Sequence, residues 1–78
     1  MTEERAWPTT EGVKAIDDYP NGTALIHFTL RGNCYQWAVG ATGNETAEEM
    51  KQHLERWVAG AQFVSVDMKT LAGVVIKR

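Results

Sequence analysis

The chain has one cysteine, Cys34, so no internal disulfide can brace it. That excludes a disulfide-stapled secreted scaffold and points to a reducing compartment. An excess of basic charge is also missing. Eight Lys and Arg residues are scattered among ten Asp and Glu, for a formal net charge of −2. A partner bound mainly by counter-ion release, as nucleic acid is, calls for a concentrated basic field instead. No apolar run approaches the roughly 20 residues that span a bilayer. The first residues, Met1-Thr2-Glu3-Glu4-Arg5, are polar and acidic where a signal peptide would place an apolar stretch. These absences together predict a soluble, cytoplasmic chain with no membrane partner.

What is present is core material. Of 78 residues, 44% are hydrophobic and three are tryptophan, more than a disordered chain carries. The length allows one domain. A chain this short buries only about 60% of its unfolded surface, so its stability needs a supplement, and homo-oligomerisation is the one left open.

Residues 1–11 form a flexible or extended leader, in which Pro8 holds Trp7 in an extended conformation. A single α+β domain then occupies residues 12–78. Residues 12–19 fit neither strand nor helix cleanly, and Pro20-Asn21-Gly22 is a turn signal leading into Thr23. An irregular or bulged strand is expected before that turn.

From Thr23 to Val39 the pattern is a β-hairpin. A two-residue Gly32-Asn33 loop would set Leu30 opposite Tyr35, Phe28 opposite Trp37 and Ile26 opposite Val39, all on one face. The other face receives Leu25, His27, Thr29, Arg31, Cys34, Gln36 and Ala38. Thr46 and Glu49 then make a capping box for a helix over about 46–60. Its apolar stripe is Ala47, Met50, Leu54, Trp57, Val58 and Ala61, and Gly60 stands where a helix-ending glycine belongs. After it, a five-residue connection from Lys69 to Gly73 would join two strands, with Val64, Val66, Met68, Val74 and Ile76 on the core face. Phe63, Ser65, Asp67, Val75 and Lys77 would share the other. The expected architecture is a mainly antiparallel sheet of 4-5 strands in the order (β)ββαββ, with one amphipathic helix packed on one face.

Catalytic constellations do not assemble from these residues. In that register His27 and Cys34 are on the order of 13 Å apart along the strands, beyond the reach of a Cys–His pair. His53 belongs to the wet side of the helix, so the three cannot share a zinc ion. Asp17 and Asp18 point to opposite sides of an extended chain. Gly40-Ala41-Thr42-Gly43-Asn44 precedes a helix but lacks the lysine and the spacing of a phosphate loop, and Glu48 and Glu49 would repel an anion. No enzyme, cofactor, metal or small-molecule site is expected. Phe28, Tyr35 and Trp37 could stack bases, but the helix stripe needs the same face as core.

The second sheet face remains. It is mixed and low in charge, as non-obligate interfaces are at their centres. Either residues from Trp7 to Ile16 cover it or a partner does. The functional expectation is a small non-catalytic protein-interaction module, a regulator or adaptor. It would bind itself as a homodimer, or a protein partner, through Leu25, His27, Thr29, Gln36 and Ala38, with Leu71 as a further exposed apolar side chain. The alternative is a nucleic-acid-associated domain using Arg31, Lys69, Lys77 and Arg78, whose binding would weaken steeply with salt.

Overall fold

The computed structural model describes residues 15–78; the leader over residues 1–11 and the proposed covering roles of Trp7 and Val13 lie outside these. The described residues begin with a short 3-10 turn, Ile16–Asp18. Four strands and one helix follow: β1 (Thr23–Leu30), β2 (Asn33–Gly40), α1 (Ala47–Trp57), β3 (Gln62–Lys69) and β4 (Val75–Lys77). The strands form one sheet in the order β2-β1-β3-β4, with every neighbouring pair antiparallel. The α+β class therefore holds. The β2–α1–β3 connection passes over β1, so β2 and β3 run the same way on its two sides.

Where a strand was expected before the first turn, residues 16–18 form the 3-10 turn instead. The Gly22 N–H donates to the carbonyls of Lys69 at 2.8 Å and Thr70 at 3.2 Å. Those bonds extend the β1–β3 ladder and leave the Asn21-Gly22 turn no hairpin to close. Gly22 sits at φ +84°, a conformation that costs glycine little.

The β1–β2 hairpin turns on Arg31 and Gly32 rather than on Gly32 and Asn33. Both turn residues have positive φ, 54° and 83°, as a type I′ turn requires. Phe28 consequently faces Tyr35, Ile26 faces Trp37 and Ala24 faces Val39. The slip from the expected register is two residues. Side chains alternate with period two, so each keeps its expected face.

A β-bulge changes the assignment in β3. Pairing with β1 runs evenly to His27–Ser65, then shifts so that Phe28 faces Phe63. Val64 is the extra residue and stands 61% exposed, while Phe63 turns to the helix side and packs against the core. The expectation had these two reversed. The bulge buries the larger apolar side chain at the expense of the smaller one. β4 is also displaced by two residues, with Ile76 opposite Met68, and Val74 lies outside the strand, exposed.

The helix begins as its sequence dictates. The Thr46 side chain accepts from the Glu49 N–H at 3.1 Å, and the Glu49 carboxylate accepts from the Thr46 N–H at 2.8 Å. It ends three residues sooner than expected, with Val58 as its C-cap. Met50, Leu54, Val58 and Ala61 seal against Ala24, Ile26, Phe28, Val66 and Met68 to form the core. Trp57 is not part of that seal: it is 56% exposed, on the flank of the helix. Among the described residues no helix is long and apolar enough to cross a membrane.

Candidate interaction surface

Alternation along β1 sends Thr23, Leu25, His27 and Thr29 to the face away from α1, and β2 and β3 add Gln36, Ala38, Ser65, Asp67 and Lys69 to it. The 3-10 turn packs on β1 and β3. The Lys69 ammonium fastens it by donating to the carbonyls of Asp17 at 3.1 Å and Tyr19 at 3.0 Å. Ile16 is buried here, and so is Leu25, at 1% exposure, although neither belongs to the helix-side cluster. The second face thus has a small sealed centre of its own. Ile16 is the residue, of those expected to cover it, that the described structure places.

Beside that centre three polar side chains join across three strands. His27 Nε2 donates to Asp67 Oδ2 at 3.2 Å, and the ring's other nitrogen, Nδ1, accepts from Gln36 Nε2 at a long 3.5 Å. The roles follow from the carboxylate, which only accepts. The Gln36 side-chain oxygen is enclosed and has no hydrogen-bond partner. An enclosed acceptor of this kind costs roughly 1–3 kcal/mol.

The structure separates the six expected interface residues. Leu25 and Gln36 are buried, so a partner on this face does not reach them directly. His27 and Thr29 are half-buried, and Ala38 is exposed on β2. Leu71 is 67% exposed but stands apart, in the β3–β4 connection. There its N–H donates to the Thr42 carbonyl at 3.4 Å, beside the Gly22 turn. Val74 and Val75 are exposed in the same connection and at the start of β4.

Residues marked for chemistry also have definite places. The actual register brings Cys34, which is exposed, to the diagonal position from His27, an offset of about 7–8 Å. Both His27 nitrogens are already engaged. His53 is half-buried and not on the wet side as expected, because its ring stacks on Trp37 with centroids 5.3 Å apart and planes 12° apart. The Trp57 ring is tilted by 55° to that of His53, with centroids 6.5 Å apart. Among the described residues no group of three His, Cys, Asp or Glu side chains is arranged to hold a metal ion. The four basic residues of the nucleic-acid alternative are dispersed. Arg31 is in the hairpin turn at one end of the sheet, Lys69 is at the other end, and Lys77 and Arg78 are on the β4 side.

The loop before α1 spends its donors on its own carboxylate. Glu45 accepts from the N–H of Thr42 at 3.0 and 3.1 Å, from the N–H of Gly43 at 2.9 Å and from the Thr42 hydroxyl at 3.3 Å. Partial burial pushes the Glu45 carboxyl up, but the backbone donors of Thr42, Glu45 and Gly43, with the Thr42 hydroxyl, outweigh it and hold its pKa below the ordinary value. Gly43, at φ +103°, is needed here: a Cβ on it would come within 2.5 Å of the Thr70 methyl.

Two features escaped the sequence reading. Trp57 was assigned to the core stripe because its spacing from Leu54 and Val58 suits a helix, and nothing local showed that His53 and Trp37 would hold it at the rim. The apolar cluster of Leu71, Val74 and Val75 was legible only at Leu71; the charge-free run from Thr70 to Ile76 was the available signal. Compared with protein-family models, curated proteins and solved structures, the chain matches none.

Proposed function

We propose that this chain is a small non-catalytic interaction module, a cytoplasmic regulator or adaptor that binds a protein partner or a copy of itself. One observation carries the reading. Leu71, Val74 and Val75, at 67%, 58% and 36% exposure, stand within five residues of one another in a stretch free of charge. Large apolar side chains exposed together lower the free energy of association, because a partner removes them from water. Val75 lies on the face away from the helix, opposite Lys69, and His27, Thr29 and Ala38 supply a mixed surface further along that face, on β1 and β2. Leu25 and Gln36 support this surface from below.

The test is a pair of charges at the cluster. With Leu71→Asp and Val74→Asp combined, self-association in sedimentation, or capture of a protein partner by the immobilised chain, should fall at least tenfold, while far-UV circular dichroism keeps its helix and strand signal. A double variant that associates and captures partners as the parent chain does would refute the Leu71 cluster as the binding surface.

A further inference from the structure

The two outer strands of the sheet differ in how they are guarded. An outer strand presents a row of backbone donors and acceptors that another chain can pair with, and proteins blunt such rows with short strands, charges, prolines or bulges. β4 is three residues long, ends in Lys77 and is followed by Arg78. Among the described residues β2 has none of these defences. It is eight residues, Asn-Cys-Tyr-Gln-Trp-Ala-Val-Gly, with no charge and no proline, and its pairing with β1 runs without a bulge.

The phase of the ladder shows which groups β2 turns outward. The two-residue turn makes Leu30 and Asn33 a hydrogen-bonded pair, and the Ala41 N–H donates to the Gly22 carbonyl at 2.9 Å, in the same phase. Bonding pairs alternate along an antiparallel ladder. The odd-numbered residues of β2 therefore bond to β1, and the backbone groups of Cys34, Gln36, Ala38 and Gly40 point away from the sheet. The Gln36 side chain is buried, while Cys34, Ala38 and Gly40 are exposed and small.

We infer that β2 pairs antiparallel with β2 of a second copy of this chain, joining two sheets into one of eight strands. This rests on the interaction-module reading but uses a different surface from the Leu71 cluster. Three observations select a second copy as the occupant. First, β2 carries no charge, so two copies meet without repulsion along the whole strand. Second, a two-fold axis perpendicular to the sheet keeps both helices on the same side. The flanks carrying His53 and the 56%-exposed Trp57 then face each other across the seam and shield that ring from water. Third, the assembly closes. The strands left outermost are the two copies of β4, both short and charged, so pairing stops at two.

The measurement is mass in solution over a range of protein concentrations, by light scattering and sedimentation equilibrium. The parent chain should reach twice 8.7 kDa and no more. Ala38→Pro removes an outward N–H and no β1–β2 bond, and Ala38→Lys places a charge on the open edge. Each should return the mass to that of one chain with the circular dichroism spectrum preserved; if the proline variant does not fold, the lysine variant decides. Lys77→Ala, on the other edge, should leave the mass doubled. A parent chain that stays single at every concentration overturns the inference, as does a series of species larger than two. If both Ala38 variants fold and remain dimeric while Leu71→Asp with Val74→Asp dissociates the dimer, the edge is wrong and the interaction-module reading survives. If Ala38→Lys dissociates the dimer and the Leu71/Val74 double variant binds as the parent does, the edge is right and the apolar cluster is not the interface.

Discussion

On the helix-covered face, β1 contributes Ala24, Ile26 and Phe28, each at most 1% exposed, to a core with no buried polar side chain among the described residues. On the other face the same strand contributes Thr23, Leu25, His27 and Thr29, and of these only Leu25 is apolar and sealed. One face is held by apolar area, the other by one buried leucine, an isoleucine from the 3-10 turn and a polar chain across three strands. The first kind of contact is non-directional and tolerates a register slip of two residues. The second depends on which residues are direct neighbours: Asp67 and Gln36 meet His27 only in the register the structure adopts. Apolar burial therefore supplies most of the stability, and the polar chain adds positional specificity.

The largest expected effects test whether the second face is sealed. Leu54→Ala removes a side chain at 0% exposure from the helix core and should cost about 2–5 kcal/mol in denaturant unfolding. Leu25→Ala should cost an amount in the same range; a loss below about 1 kcal/mol would show that its burial is loose and that the two faces are less alike than they look. Next comes the polar chain. Asp67→Ala removes the acceptor of the His27 bond, both side chains being 21% exposed, and should cost about 1 kcal/mol. A double-mutant cycle with His27→Ala isolates that pair, and a coupling near zero would mean the bond does nothing for stability.

Gln36→Leu gives up a long, weak bond to His27 and abolishes the enclosed, unpartnered oxygen. It should change stability by less than about 1 kcal/mol, on the favourable side. A clear loss would show that the amide does more than its geometry indicates. The smallest effect belongs to Glu45, outside both faces. Its folded pKa lies below its unfolded value, so its contribution is present above the unfolded pKa and is lost as pH falls through the folded one. Glu45→Gln should therefore flatten the acid side of the stability profile, below the ordinary glutamate range, and leave its slope at neutral and alkaline pH unchanged. An acid limb identical to that of the parent chain would show that the loop bonds are not coupled to folding.

Much of the fold was legible because its signals are local. Thr46 and Glu49 define a helix start through bonds that span three residues. The period of Met50, Leu54, Val58 and Ala61 names the buried side of the helix without knowledge of what covers it. Period-two alternation assigned the faces of β1 and β2 correctly even though the turn was placed one residue too late. What was not legible depends on partners distant in sequence. The bulge at Val64 arises where β3 meets β1, some 36 positions away in chain order (from Phe28 to Val64). The residues before Pro20 turned as a 3-10 helix because Gly22 was claimed by Lys69.

The candidate site divides in the same way. Leu71 could be picked out as exposed because a turn lacks an apolar neighbour to hide it. Leu25 and Gln36 could be placed on the second face, but not beneath its surface, since burial is a property of what lies above a residue. Trp57 is the converse case, a core-like residue left at the rim as the last residue of the helix, with His53 occupying the space against Trp37.

By itself the sequence determined one domain, one capped helix, the β1–β2 and β3–β4 hairpins and the face on which most β-strand side chains lie. All of these follow from charge, composition, capping and periodicity over a few neighbouring residues. Tertiary structure decided the strand order, the bulge, the sealing of Leu25, the chain from Gln36 through His27 to Asp67, and the contrast between a guarded β4 and an open β2. Each of these depends on which distant segments compete for the same backbone partners and the same apolar surface, and that competition is settled only when the whole chain is folded.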